Sequence, residues 1–167
     1  DALTIAAEHR ASTSPSAQHA AESLLDFAAR HVAGSLLACS RDGAAELAEL
    51  AKSAGLPWRA FSPAATTNWP REKFDAVVVV DLLEHLPSED VPWVLDEIFA
   101  RAGNAVAIRV AATAAQIVEA PSPDDAFLCM RPASWWRERI THAAHGRVAW
   151  HLETFTADAP TRSFETL

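Results

Sequence analysis

Asp81, Glu84 and His85 follow directly on an apolar run in the stretch FDAVVVVDLLEHLPSED, residues 74–90. Two carboxylates and an imidazole packed this closely can exchange protons or orient a polar ligand, and imidazole is the side chain that ordinarily titrates nearest neutrality. Ala76 to Val80 are apolar without a break, which reads as a strand buried on both faces with the acids at its carboxyl end. In an open α/β sheet, ligands bind beyond the carboxyl ends of the strands, near the switch in strand order. A plainer role fits the same residues: carboxylates favour the positive end of the helix that follows, with His85 on the surface.

The other chemistry-bearing residues form no second constellation. The seven histidines include no HxH or HExxH spacing, and His142 with His145, one helical turn apart, fall short of the three or four ligands of a metal site. We therefore expect no metal. Cys39 and Cys129 lack metal-ligand spacing and read as free thiols of a reducing compartment, Cys129 as a buried structural residue. Six tryptophans in a chain without tyrosine suit either core and rim packing or an aromatic wall at a crevice or interface. Adjacent helical residues diverge by about 100 degrees, so Trp135 and Trp136 cannot both face the core. These two and Trp93 are the candidate substrate or partner contacts.

Alternating strand-like and helix-like segments must position these residues. Strands are expected at 2–7, 35–40, 56–63, 74–80, 104–112 and 147–155, with a short last one at 161–167. Between them, Ser14-Pro15 suits a helix start, Gly34 a helix stop, and Asp42 caps a helix ending at Gly55. Val91, Val94, Leu95, Ile98, Phe99 and Ala102 recur at helical spacing after Ser88, and Pro132 opens a helix carrying Trp135, Trp136 and Ile140. Strands separated by helices imply a Rossmann-like, doubly wound, mostly parallel sheet, with the last two strands antiparallel at one edge.

The 167 residues, half of them apolar, read as a single domain over 1–167. A formal net charge of −8 offers no basic footprint for nucleic acid. No apolar run is long enough to span a bilayer, and no signal peptide pattern opens the chain, so a cytoplasmic location and no membrane partner are expected. A first residue of Asp rather than Met points to a fragment or a processed form.

With the stretch FDAVVVVDLLEHLP and the segment order on the page, the chain resembles class I S-adenosylmethionine-dependent methyltransferases of the small-molecule type, and RPASWWRERI (131–140) resembles a substrate-side helix of some members. The resemblance implies a seven-stranded sheet, S-adenosylmethionine as cofactor, Asp81 beside it, and Glu84 or His85 as base or substrate orienter. Counted by strand, the contacts opposite depart from the family pattern. LTIAAEHRA places Thr4 where an acid is expected and Ala6, Glu8 and Arg10 where glycines are expected, although glycine alone combines positive φ with close backbone approach. Cys39 or Ser40 stands where a carboxylate takes the ribose hydroxyls, with Asp42 as a substitute already suited to capping, and Ala65 stands where an acid meets adenine.

Two functions remain open on these residues. One is a non-catalytic pseudo-methyltransferase, a binding or scaffold module for a small molecule or a protein, compatible with self-association. The other is an active methyltransferase holding its cofactor through a non-standard loop.

Overall fold

The computed structural model describes residues 24, 26–31, 34–41, 48, 51–52, 55, 57–63, 68–113, 129–156 and 159–166. Its strands are β1 (Leu36–Ser40), β2 (Trp58–Phe61), β3 (Phe74–Val80), β4 (Ala102–Thr113), β5 (Arg131–Pro132), β6 (Ala149–Thr156) and β7 (Ala159–Thr166). The helices α1 (Val91–Arg101) and α2 (Ala133–Ala144), whose bounds lie among the described residues, accompany them. Six strands lie in the order β2-β1-β3-β4-β6-β7, and β5 pairs with the end of β4. All pairings are parallel except β6 with β7. The molecule is thus a mostly parallel α/β sheet with helices, of Rossmann-like kind.

The expected strands at 35–40, 56–63, 74–80, 104–112, 147–155 and 161–167 all form, with 74–80 reproduced at both ends and the other ends shifted by at most two residues. The strand expected at 2–7 and most of the first helix lie outside the described residues. β1 is hydrogen-bonded to β2 on one side and to β3 on the other, so no strand can lie between residues 36–40 and 74–80.

Alternation along the strands divides the core. Ala38, Ala76, Val78, Ala105 and Ala107 face one side, packed with Leu24, Phe27 and Ala28 from the segment before β1. Leu37, Val77, Val79, Val106 and Ile108 face the other, beneath Leu95 and Ile98 of α1 and Trp136 and Ile140 of α2. The apolar stripe of α1 explains its burial: Val91, Val94, Leu95, Ile98 and Phe99 are enclosed. Pro92 lies in its first turn, where a missing N–H costs nothing. The chain then turns straight into β4 at Ala102. Gly103 suits this position, because a Cβ would stand a tight 3.3 Å from the Phe74 carbonyl oxygen.

Ile98→Ala, at a fully enclosed position, should destabilise the domain by about 2–5 kcal/mol in chemical denaturation. Asp96→Ala on the exposed side of the same helix should stay within about 0.5 kcal/mol of wild type.

Candidate functional site

The chain runs from β1 outward to β2 and returns on the other side of β1 as β3, so strand order reverses between β1 and β3. A crevice opens beyond the carboxyl ends of strands at such a point. One wall is Ser40 and Arg41 at the end of β1, and the other is the turn after β3, Asp81 followed by the single 3-10 turn Leu83–His85. Asp81 is exposed at the mouth, and its backbone is left-handed, at φ 49°. Non-glycine residues adopt that region seldom, and such strain concentrates where a turn serves a site.

The two walls are joined directly. The Arg41 backbone N–H donates to the Asp81 carbonyl at 3.2 Å. The Arg41 guanidinium lies 3.2 Å from His85 Nδ1, a contact in which the guanidinium can only donate. Ser62, just past β2, donates its hydroxyl to the Arg41 carbonyl at 2.6 Å. Arg41 thereby ties together three consecutive strand ends.

Glu84 corrects the sequence reading. It was expected to face the crevice with Asp81 and His85, yet it is fully enclosed. A 3-10 turn rotates successive side chains by about 120 degrees, so His85 points outward while Glu84 turns under the sheet. Glu84 Oε1 accepts the Ala111 N–H at 3.2 Å, and its backbone carbonyl accepts the Cys129 N–H at 2.9 Å. Oε2 has no hydrogen-bond partner among the described residues. Burial pushes its pKa up to about 7; the hydrogen bonds to its own backbone and to Ala111 N–H and the nearby Arg109 charge pull the other way, while Asp81 adds to the rise. A carboxyl group in this state cannot serve as an exposed base.

Sequence reasoning missed a polar row beneath the crevice. Ser40, Val80, Arg109 and Glu153 are register partners across β1, β3, β4 and β6, and so project from one face of the sheet. Ser40 Oγ and Arg109 Nε lack hydrogen-bond partners among the described residues, and the Arg109 guanidinium lies 4.6 Å from the Phe155 ring centroid. The available signal was a charged residue inside each of the runs NAVAIRVAA and AWHLETF, since strands covered on both faces are otherwise nearly continuous in apolar residues. One level lower His151 stacks on Phe27 at 5.2 Å, and burial, with the charge of Arg30, lowers its pKa.

The remaining candidates separate. Asp42 lies outside the described residues. Trp93 is 49% exposed and donates its indole N–H to Asp90 at 3.2 Å. Trp135 is half-buried between the guanidiniums of Arg131 and Arg139, at 5.6 and 5.2 Å. Trp136 meets it edge-on, with centroids 4.9 Å apart, but is fully enclosed in the core. It therefore faces no partner, because α2 turns it onto the sheet. Both cysteines are free and buried, and burial pushes the Cys39 thiol up to about 12. Among the described residues no group of three potential ligands could hold a metal, and no helix is long and apolar enough to cross a membrane.

Compared with known proteins, the chain matches no family model, no curated protein and no solved structure.

Two measurements test this geometry. The folded chain keeps the Glu84 proton up to about pH 7, whereas an unfolded chain releases it near an ordinary carboxyl pKa, so stability falls as pH rises through that interval. The loss between pH 5 and 8 should be about 2–3 kcal/mol, and Glu84→Gln should remove it. His151, shared by both proteins, acts in the opposite sense by weakening the fold as pH falls, so the wild-type minus variant difference isolates Glu84. At Asp81, glycine should be neutral or stabilising by up to about 1 kcal/mol, whereas Asp81→Val should cost about 1–2 kcal/mol, read by thermal or urea unfolding.

Proposed function

We propose that the chain is a methyltransferase-like domain that binds without catalysing: a pseudo-methyltransferase of the seven-stranded plan, working in the cytoplasm on a small molecule or a protein. The observation that carries the reading is the Arg41 bridge. A nucleoside cofactor held at a switch point needs small residues and an open backbone at the end of the first wall. Here Ser40 and Arg41 occupy that end, with Arg41 bonded to Asp81 and His85 across it.

With β1 adjacent to β3, the wall opposite Asp81 is Ser40-Arg41, and neither residue is a glycine. Catalysis is further disfavoured by the positions of its two candidates. Glu84 is enclosed, and the His85 Nδ1 lone pair faces a guanidinium. Trp93, the exposed large apolar side chain among the described residues, supports a contact role beside the crevice. The free, buried thiols support a reducing compartment.

A second reading, an active S-adenosylmethionine-dependent methyltransferase, draws on the left-handed Asp81 at the carboxyl end of β3, because strained turns gather at working sites. Calorimetric titration with S-adenosylmethionine separates the two. The binding-module reading expects no heat at millimolar ligand. Binding in the micromolar range would overturn it in favour of the enzyme.

A further inference from the structure

At the end of the sheet opposite the crevice, where β3, β4 and β6 begin, a groove of about 510 Å³ is lined by residues that include Lys73, Asp96, Phe99, Ala143, His145 and Arg147. Its volume falls in the range of small-molecule sites, which combine an apolar lining with a few converging polar groups. The floor fits that description: Phe99, Ala102, Ala143 and Ala144 are buried, and Val148 packs against the same core cluster.

The charge of the lining runs against that of the chain. In a protein of net charge −8, the groove carries Lys73 and Arg147 against one acid, Asp96, before any charge on His145. Among the described residues, no hydrogen bond or ion pair engages the Lys73 ammonium or the Arg147 guanidinium. His145 adds an independent observation. It ends α2 in the left-handed region, at φ 50°, with Gly146 following at φ 66°. Glycine is the cheaper residue for such a cap, and here it is an imidazole that stands on the groove wall.

The helices restrict the ligand further. α1 and α2 both end at the groove, and their terminal carbonyls bring partial negative charge. That field supports cationic side chains and opposes a multiply charged anion such as a polyphosphate. A single negative charge on an apolar body satisfies both the cations and the floor.

We infer that this groove is a binding site for an amphipathic monoanion, a carboxylate carrying an aliphatic or aromatic body. The carboxylate engages Lys73 and Arg147, and the body lies on Phe99 and Ala143. The site stands apart from the crevice at β1 and β3 and does not depend on what that crevice binds.

Octanoate is a suitable probe, followed through backbone amide shifts of the whole 167-residue chain by NMR. Saturable shifts are expected at Gly103 and across 143–148, weakening as salt is added. The double variant Lys73→Glu, Arg147→Glu, whose sites are both exposed, should bind at least about tenfold more weakly, while acetate should give no saturable shift. The inference is overturned if octanoate leaves these amides unmoved at millimolar concentration, if acetate matches it, or if a folded double variant binds as well as wild type. Should the double variant fail to fold, the salt series on the wild type decides: affinity indifferent to salt refutes the charge contact.

Discussion

Strand register across β1, β3, β4 and β6 is the constraint on which the rest of the molecule depends. Because side chains alternate, each of these strands gives one face to Leu24, Phe27 and Ala28 and the other to α1 and α2. The faces are not interchangeable. One is built mainly of alanines, which let the segment before β1 approach closely, and the other of branched residues that meet Leu95, Ile98 and Ile140. A slip of one residue would put Val77 and Val79 against the tight face and bury the wrong row at every level.

The same register gathers charge where the sheet ends. Ser40, Arg109 and Glu153 fall on one face at the carboxyl side, and Glu84 reaches the neighbouring Ala111 N–H from the turn after β3. An ionised carboxylate enclosed there would carry a large desolvation cost, and taking up a proton near neutrality lowers it. Glu84 also receives the Cys129 N–H on its carbonyl, so one residue joins the turn after β3, the end of β4 and the approach to β5. Its enclosure is a structural role, and its sequence neighbours Asp81 and His85 are left to face the crevice.

The fold was largely legible in the amino-acid sequence because period and punctuation agreed. The run Ala76–Val80, the stripe of α1, Pro132 before α2 and the left-handed Gly55 each appear where their local chemistry put them. The site was legible only in part. Asp81 and His85 lie at the crevice as expected, but the fate of Glu84 depends on the phase of a single 3-10 turn, which three residues cannot specify. Trp136 likewise lost its contact role to the rotation of α2, although the divergence of two adjacent tryptophans correctly left Trp135 partly exposed. Arg41 escaped notice for a different reason. Its importance comes from the pairing of β1 with β3, a contact between segments about forty residues apart that no local pattern encodes.

The two ends of the sheet now differ in a way that bears on function. At the carboxyl end, backbone and side-chain bonds from Arg41 cross the switch point. Arg41 thus spans the strand ends while Glu84 is turned inward, which leaves Asp81 exposed and the His85 ring beside the guanidinium. At the amino end, Lys73 and Arg147 have no ion-pair partner among the described residues and stand over an apolar floor. Cations left uncompensated in an acidic domain hold local positive potential at little cost while they remain hydrated, and that potential draws an anion only where an apolar surface beside it adds affinity. The groove has both, so the capacity for specific binding in this chain does not rest on the crevice alone.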